Sequence, residues 1–517
     1  MIKKFKYKFR KPFDSKTNAQ NLWKGYNDEY QVHVTTSHTE SEDINEICEK
    51  IVYMEDLEKR REVYGICGEC NEPGTGKEWC QPCNAKRFKN NFKNWSSGNK
   101  IIDELIQQSQ LNAVHHTKCL EWVPYENFKN VNYITRGGFS RIYLADWLGY
   151  ICCWDIENQD WKRISEKVAL KILNSSFSTI KDFLNEVKSH LEIYVSNIIQ
   201  CYGITQDPET NNYVMILEYC EDGNLKDYLN ENYVDYGLKI DHLLQISRGI
   251  LHIHNSGKVH RDLHPGNILF NNTPYISDFG MCKSAKNESK ERIYGVLPYV
   301  APEVIHYSTY TKAADIYSFG IIMNEFLSET TPYKNIPHDK KLAMDIYVYN
   351  FRPTISEDTP ELLADLIKKC WDAKTENRPT AKDLYQILNK WNKEKYKKHS
   401  EIYSQIKNCE NVRKKIKLET RSRSSKVSRL INVSNEFKQT NSRVINKSNE
   451  NKFRRRKSNS VRSVSPLNYS RKTPVISKKS LDSMEFIFLF YIKIFGFIFV
   501  VVLGLKKLSV HQELQKI

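Results

Sequence analysis

The sequence lacks a secretory signal, and its cysteines do not come in an even number. Residues 1–6 are positively charged, but the apolar stretch that an export signal needs does not follow them. The 13 cysteines are an odd set, so disulfides cannot pair them all. These absences predict reduced thiols in a cytoplasmic protein, where clustered cysteines favour metal binding over disulfides.

Excess charge is almost absent from the first 400 residues, although the whole chain carries a formal charge of +16. Residues 401–485 contain 22 Lys and Arg against 7 Asp and Glu, and residues 486–517 contain four against one, so residues 1–400 sum to −2. The basic character therefore belongs to a tail. We accordingly expect no specific nucleic-acid partner.

No internal repeat is visible, and 517 residues exceed the size of one ordinary domain. An apolar content of 40% is sufficient for a sizeable core. We therefore expect two or more ordered units with polar tails. Residues 1–60 are predicted to be a polar segment that includes an amphipathic helix.

That helix is predicted from Ser41 to Tyr64, where apolar residues recur at helical spacing and acidic residues lie near the start. The apolar positions are Ile44, Ile47, Cys48, Ile51, Val52, Met54 and Leu57. Such a helix either binds a partner as a coiled coil or packs on a neighbouring part of its own chain, and its spacing is compatible with both.

Two CxxC pairs predict a small zinc-binding module in residues 61–95. The pairs are Cys67/Cys70 and Cys80/Cys83, with nine residues between them. Four thiolates presented from two tight turns suit tetrahedral Zn²⁺, and so short a polar loop needs a staple to hold it together. Because the protein supplies all four ligands, the predicted zinc is structural. The alternative is four free thiols.

Basic residues follow the second pair on a predicted helix. They are Lys86, Arg87, Lys89 and Lys93. They either form a solvated helix face or contact nucleic acid, and a solvated face is the commoner role of such a run. His115 and His116 lie outside the cysteine spacing and are interpreted as ordinary polar positions rather than metal ligands.

A polar loop runs from His260 to Asn267, and residues 278–280 read Asp-Phe-Gly. Asp262 can accept the proton of an incoming hydroxyl, while Asn267 and Asp278 offer hard oxygen ligands for Mg²⁺. These are the groups that phosphoryl transfer requires.

The order H-R-D-L-x-x-x-N followed by D-F-G resembles the catalytic and metal-binding loops of eukaryotic protein kinases. The resemblance covers residues 128–395 and implies a bilobal α+β fold, with a small β-rich N-lobe carrying one helix and a larger helical C-lobe. It implies ATP and protein substrates, with Mg²⁺ as cofactor. Asp262 is then the base, and Asn267 and Asp278 hold the metal.

Upstream residues match the same family. Residues 168–171 resemble the V-A-I-K strand, which places Lys171 at the α/β-phosphates, and Glu186 is its expected partner. Gly137 and Gly138 lie where a glycine-rich loop covers the phosphates, although only Gly137 fits the strict pattern. The implied ATP-binding positions are Ile134, Gly137, Gly138, Ile142, Ala169, Lys171, Glu218 and Cys220. An insertion at residues 147–162 lengthens the connection before Lys171.

Downstream, Glu303 matches the A-P-E motif and is expected to pair with Arg378, and Asp315 is expected to brace the catalytic loop. The activation segment between Asp278 and Glu303 offers three hydroxyls for phosphorylation, with Arg261 as the expected receiver of the phosphate. These hydroxyls belong to Ser284, Ser289 and Tyr294.

Residues 370–379 resemble the tyrosine-kinase-like branch of the superfamily, which includes Raf-like and mixed-lineage kinases and mostly phosphorylates serine and threonine. His264 and Val296 depart from the usual lysine and threonine of such kinases. The resemblance therefore implies a serine/threonine kinase. The alternatives are a tyrosine or dual-specificity kinase and, from another class, a pseudokinase scaffold that only recruits partners.

Residues 400–485 are rich in Ser, Asn, Lys and Arg, and this composition predicts a disordered basic tail. The basic run 452–458 fits a nuclear signal, a membrane-surface patch, a phosphorylation site or a merely solvated tail. Residues 486–505 are apolar except for Lys493, long enough to cross one bilayer. They predict either a tail anchor, with the basic tail against anionic lipid, or a non-native extension of the gene product.

Overall fold

This computed structural model describes residues 34–35, 52–138, 140–173, 179–193, 197–285 and 295–414. Several predictions lie outside these residues: the predicted phosphorylation sites Ser289 and Tyr294, the basic run 452–458 and the apolar segment 486–505. Within the described residues no helix is both long and apolar enough to cross a bilayer.

A six-stranded sheet forms the N-lobe. Its strands are β3 (Glu121–Trp122), β4 (Phe128–Arg136), β5 (Ser140–Asp155), β6 (Asp160–Leu173), β7 (Cys201–Gln206) and β8 (Tyr213–Glu218). Across the sheet they lie in the order β3-β7-β8-β6-β5-β4. All neighbouring pairs are antiparallel except β3 and β7. Alternate residues of β8 face opposite sides: Met215 belongs to one buried apolar cluster and Val214 to another.

The predicted insertion is not a loop. Strands β5 and β6 continue through it as one long hairpin, paired from Ser140 with Leu173 to Asp155 with Asp160. Register shifts between Trp147 and Tyr150 and between Ile151 and Cys153 mark bulges in the hairpin. Its tryptophan-rich composition suits pleated strands, and it carries the sheet well beyond the residues that border the kinase-like cleft.

Helix α4 (Ile180–Glu192) crosses one face of this sheet. Thr179 caps it, with Asp182 completing a capping box. Its buried face carries Phe183, Leu184 and Val187 together with Glu186. Glu186 is thus the one acidic residue among the buried residues of this helix.

Helices and short hairpins build the C-lobe. The helices are α5 (Leu225–Glu231), α6 (Tyr236–Asn255), α7 (Pro302–Tyr307), α8 (Lys312–Ser328), α9 (Lys340–Val348), α10 (Glu361–Cys370) and α11 (Ala381–Glu394), and the strands are β9 (Lys258–Val259), β10 (Ile268–Asn271), β11 (Thr273–Ile276) and β12 (Lys283–Ser284). Strand β10 pairs with β11, and β9 with β12. In α8 every residue from Ala314 to Leu327 is buried, so this helix is the centre of the lobe.

Residues 41–51 of the predicted N-terminal helix lie outside the described residues, and residues 52–56 are not helical. Within the described residues, helix α1 spans Leu57–Tyr64, and the Asp56 carboxylate caps it by accepting the Lys59 N–H. The preceding strand β2 (Val52–Tyr53) pairs in parallel with β1 (Val34–Thr35). Helical spacing at Val52 and Met54 was misleading because the turn before Asp56 starts the helix later. Helices α2 (Gln81–Asn91) and α3 (Lys100–Asn112) follow.

The prediction of disorder from residue 400 onward is wrong for its first part. Residues 401–414 are helical, and we name this stretch α12. Ile402 and Ile406 are 1% and 6% exposed, and they join the apolar core of the C-lobe together with the partly buried Cys409. Their spacing is helical, but the surrounding polar and basic composition hid it.

We expect Ile402→Ala to lower the free energy of unfolding by about 2–5 kcal/mol, because it opens a cavity in a packed core. Val412→Ala changes an exposed position of the same helix, with 42% of the residue accessible, and should cost less than about 0.5 kcal/mol. Denaturant unfolding of the full chain measures both. Equal, small effects would contradict the docking of α12.

Candidate active site

Lys171, Glu186 and Asp278 meet in one ion cluster, in which Lys171 and Glu186 are buried and the Asp278 side chain is 41% exposed. The Lys171 Nζ lies 2.6 Å from Glu186 Oε1 and 2.8 Å from Asp278 Oδ1. Lys171 comes from β6, Glu186 from α4 and Asp278 from the segment after β11. The predicted partnership of Lys171 with Glu186 is therefore present, and Asp278 joins it across the two lobes.

Electrostatics keep Lys171 and Asp278 charged, whereas burial raises the pKa of Glu186. Burial alone lowers the pKa of the Lys171 ammonium, but the carboxylates of Asp278 and Glu186 outweigh burial and raise it. Burial likewise raises the pKa of Asp278, and the Lys171 ammonium outweighs this and lowers it to about 2. The Asp278 carboxylate is thus ionised at neutral pH, as a metal ligand must be.

Asp262 and Asn267 lie together in the catalytic loop. The Asn267 Nδ2 donates to the Asp262 carbonyl at 2.8 Å, which leaves the amide oxygen as its metal-binding atom. The Asn267 carbonyl accepts from the Ser277 N–H at 2.9 Å and from its Oγ at 3.1 Å. Because Ser277 precedes Asp278, the two predicted Mg²⁺ ligands are held next to each other.

His264 points towards the catalytic carboxylate. Its Nδ1 accepts the Gly266 N–H at 3.1 Å, so in the neutral ring the proton is on Nε2, which lies 3.8 Å from Asp262 Oδ2. Burial lowers the pKa of His264. Burial also raises the pKa of Asp262, because it outweighs the neighbouring histidines, which lower that pKa. The residue that stands in place of the usual lysine therefore faces the Asp262 carboxylate, at a distance too long for a direct hydrogen bond.

Asp315 braces the catalytic loop from below, as predicted. Its carboxylate accepts the backbone N–H of His260 at 2.8 Å and of Arg261 at 3.0 Å. Arg261 has a φ of +72°, in the left-handed region that non-glycine residues rarely occupy. The His254 Nε2 lies 2.9 Å from the same carboxylate. We did not predict this contact, since no local pattern distinguishes His254 from other residues of α6.

The predicted ATP-binding positions line adjacent strands. Ile142 pairs with Lys171 between β5 and β6, and Ala169 pairs with Leu217 between β6 and β8. The exposed Gly137 and Gly138 follow β4, and the Gly137 N–H donates to Ser140 O at 2.8 Å. Ile134, at the end of the same strand, is 42% exposed. Phe139, which follows these glycines, lies outside the described residues.

The strand β8 leads into the connection between the lobes. The Glu218 N–H donates to Gln200 O at 2.9 Å. Cys220 is buried, and its carbonyl accepts the Gly223 N–H at 3.4 Å. Burial raises the pKa of Glu218 to about 7.

The activation segment is anchored at its far end. Arg378 binds Glu303 through two N–H···O contacts of 2.7 and 2.8 Å, which confirms the predicted pair. The Arg378 side chain is fully buried. Such a fork is a strong, directional contact. Near Asp262, Val296 and Tyr299 border a small cavity. The Arg261 guanidinium lies 5.0 Å from the Tyr310 ring centroid.

The four cysteines of the CxxC pairs converge on a separate site, their sulfur atoms all within 4.8 Å of one another. Cys67 lies 3.9 Å from Cys83, and Cys70 lies 3.6 Å from Cys80. Four ligands at the usual Zn–S length of about 2.3 Å have sulfur atoms about 3.8 Å apart. The donor set thus fits a tetrahedral metal. Neither His115 nor His116 belongs to it, as predicted.

Arg60 holds the first turn of this module and escaped prediction. It is 5% exposed, and its guanidinium donates to Gly74 O at 3.0 Å, Pro73 O at 2.7 Å and Met54 O at 2.8 Å. Each bond reaches a backbone carbonyl. The sequence holds no signal for such contacts, because a carbonyl is present at every residue.

A β-rich lobe and a helical lobe that enclose a lysine–carboxylate cluster next to Asp262 and Asn267 define a protein-kinase fold. The family model for protein tyrosine and serine/threonine kinases matches residues 128–388, half of the chain. The chain belongs to this family, and its relatives support the tyrosine-kinase-like branch.

Three curated relatives each match between 41% and 51% of this chain. The serine/threonine-protein kinase VIK of Arabidopsis thaliana is 32% identical over 282 residues, which cover 51% of this chain and 60% of the relative. The serine/threonine/tyrosine-protein kinase HT1 of the same plant is 31% identical over 41% of this chain and 55% of its own length. The RGS domain-containing serine/threonine-protein kinase A of Dictyostelium discoideum is 28% identical over 48% of this chain and 22% of its own length. The chain therefore spans about 60% or less of these relatives.

We expect Asp315→Asn to destabilise the protein by about 2–3 kcal/mol, because an amide has one acceptor oxygen where the carboxylate has two. Amide hydrogen exchange at His260 and Arg261 should accelerate in the variant. Asp365→Asn, on the exposed side of α10 with 55% of its side chain accessible, is the matched control. If both variants exchange alike in the catalytic loop, Asp315 does not brace it.

Proposed function

We propose that this chain is an ATP- and Mg²⁺-dependent protein kinase that phosphorylates serine and threonine. The observation that carries the proposal is the cluster of Lys171, Glu186 and Asp278, with contacts of 2.6 and 2.8 Å. These groups come from three different elements, and their meeting is what phosphate positioning requires.

In this proposal each residue has a defined task. Lys171, fixed by Glu186, contacts the α/β-phosphates. Asp262 orients the acceptor hydroxyl and takes its proton as the oxygen attacks the γ-phosphorus and ADP leaves. Mg²⁺, held by Asn267 and Asp278, supplies neutralisation of phosphate charge. Rate then comes from alignment and electrostatics rather than from covalent chemistry by the protein.

Serine and threonine are the proposed acceptors because the names of all three relatives above include serine/threonine kinase activity. HT1 is also named a tyrosine kinase, so dual specificity is the second candidate. His264 favours a weaker electrostatic contact to the γ-phosphate than the lysine usual in such kinases, since a neutral imidazole carries no charge.

We expect Asp262→Ala to reduce phosphate incorporation from labelled ATP by about 100-fold or more, the range for loss of a general base. The full chain with Mg²⁺ and a generic protein substrate is the assay, with Asp365→Ala as the matched control for surface charge. Phosphoamino-acid analysis of the product then distinguishes serine and threonine from tyrosine.

Equal background in wild type, Asp262→Ala and Asp365→Ala would contradict the enzyme and favour the pseudokinase scaffold. ATP binding without transfer would point the same way. Phosphotyrosine alone would retain the kinase and refute its acceptor.

We also propose that Cys67, Cys70, Cys80 and Cys83 bind one structural Zn²⁺. The sulfur separations of 3.6 and 3.9 Å support this, because they bracket the edge of a ZnS₄ tetrahedron. Cys80 and Cys83 flank the first turn of α2, where Pro82 suits the first helical positions. With four protein ligands, this metal would contribute to folding rather than to catalysis.

We expect the purified chain to contain about one zinc per molecule, and Cys67→Ser to lose it, since three thiolates bind far more weakly than four. Cys409→Ser removes a half-buried thiol on α12 and should retain the metal. Metal analysis by mass spectrometry measures both. Cys67→Ser with wild-type zinc would refute the site.

A further inference from the structure

Helix α3 shares a face of the N-lobe sheet with α4. Ile102 and Ile106 of α3 are fully buried. They belong to the same apolar cluster as Phe183, Leu184 and Val187 of α4. Met215 and Leu217 of β8 complete this cluster, whereas Val214 and Ile216 face the other side of the sheet. Helices α3 and α4 therefore cover one sheet face together.

An aromatic contact ties the start of α3 to this face. Tyr213 of β8 donates its hydroxyl to Ser97 O at 3.3 Å, and its ring centroid lies 6.2 Å from that of Phe183. Ser97 in turn donates its N–H to the Asp103 carboxylate of α3 at 2.7 Å. One tyrosine thus touches both the α3 entry and the buried face of α4.

The other end of α3 is tied to the sheet edge. The Gln110 Nε2 donates to Leu120 O at 2.9 Å, and the Leu120 N–H donates to Ser109 Oγ at 3.0 Å. Leu120 is fully buried in the same cluster and immediately precedes β3. The helix is fixed at both ends, so it cannot slide along the face that it shares with α4.

The four-cysteine module holds the C-terminal end of α3. Trp79, adjacent to the ligand Cys80, donates its Nε1–H to Ala113 O at 2.7 Å and is fully buried. Gln81 donates from Nε2 to Leu111 O at 2.6 Å. Both donors are sequence neighbours of Cys80. The path from the cysteines to α3 therefore consists of two short hydrogen bonds.

The position of α4 matters because Glu186 lies on the same buried face, next to Val187. The Glu186 Oε1 meets Lys171 Nζ at 2.6 Å, and a small rotation or shift of α4 would break that contact. A helix that holds α4 from the side thus also holds the ion pair. The apolar contacts that α3 supplies are of the short-range, close-packed kind that resist such shifts.

We propose that helix α3 is an intramolecular brace that keeps α4 where Glu186 meets Lys171, and that the four-cysteine module sets the position of this brace. Ile102 and Ile106 are the positioning residues. Their effect on phosphotransfer rests on the proposed kinase function, whereas their effect on the order of α4 does not.

The test compares the full-length chain with the double variant Ile102→Ala/Ile106→Ala. Amide hydrogen exchange in residues 180–192 should accelerate by about tenfold or more, because the neighbouring core is under-packed. Exchange in α8 of the C-lobe should not change. The KM for ATP should rise more than kcat falls, since Lys171 loses its fixed partner for phosphate binding.

Two matched variants serve as controls. Ile101→Ala removes an isoleucine from the same helix at a position that is 56% exposed, and it should leave exchange in α4 and the KM for ATP unchanged. Ile102→Val/Ile106→Val retains most of the packing volume and should restore both values to near those of the wild type. Cys67→Ser should accelerate exchange in α3 and α4 together.

Faster exchange in α3 with unchanged exchange in α4 would overturn the brace. A uniform loss of protection in both lobes would also overturn it, since α3 would then be a general stabiliser. If Cys67→Ser leaves α3 and α4 unchanged, the link to the cysteine module is refuted. If the wild-type chain and all the variants lack kinase activity, the proposed kinase function is refuted. The exchange data would still decide whether α3 is a brace.

Discussion

The buried ammonium of Lys171 is the constraint on which the two lobes depend. It is 4% exposed, and a buried charge without partners is among the costliest features that a fold can contain. Two carboxylates compensate it, one from α4 and one from the segment that follows β11. Removal of the buried partner from a buried ion pair typically costs about 3–5 kcal/mol, a figure that applies to Glu186 and not to the 41% exposed Asp278. Strand β6, helix α4 and the C-lobe must therefore come together as one arrangement.

Two C-lobe residues at the candidate site have an unfavourable backbone conformation. Arg261 and Asp278 have φ values of +72° and +63°, in the left-handed region that costs energy for residues other than glycine. Each is held by polar contacts: Asp315 accepts the Arg261 N–H, and Lys171 binds the Asp278 carboxylate. The strained residues are thus Asp278 itself and the neighbour of Asp262, both in the candidate site.

Local motifs, through their resemblance to protein kinases, predicted several contacts of the candidate site. The resemblance implied the pairs of Lys171 with Glu186 and of Glu303 with Arg378 and the bracing of the catalytic loop by Asp315, and the structure contains all three contacts. Other features depend on contacts between distant residues and were missed. They include the bonds of Arg60 to backbone carbonyls and the docking of α12, whose three core residues sit in an otherwise basic stretch.

The long β5–β6 hairpin and the cysteine module pack into one shared apolar cluster. The hairpin carries Trp161, whose ring stacks on Phe88 of α2 with centroids 4.7 Å apart and lies 5.9 Å from that of Trp79. Trp79 and Phe88 are buried in one cluster with Ile151 of the same hairpin. A module of this size has too few apolar residues for a core of its own. The hairpin contributes Ile151 and Trp161 to the apolar core of the module. The module in turn covers apolar strand residues that water would otherwise reach. The cysteine module is therefore built into the N-lobe, and a metal bound there would stabilise kinase structure as well as its own loop.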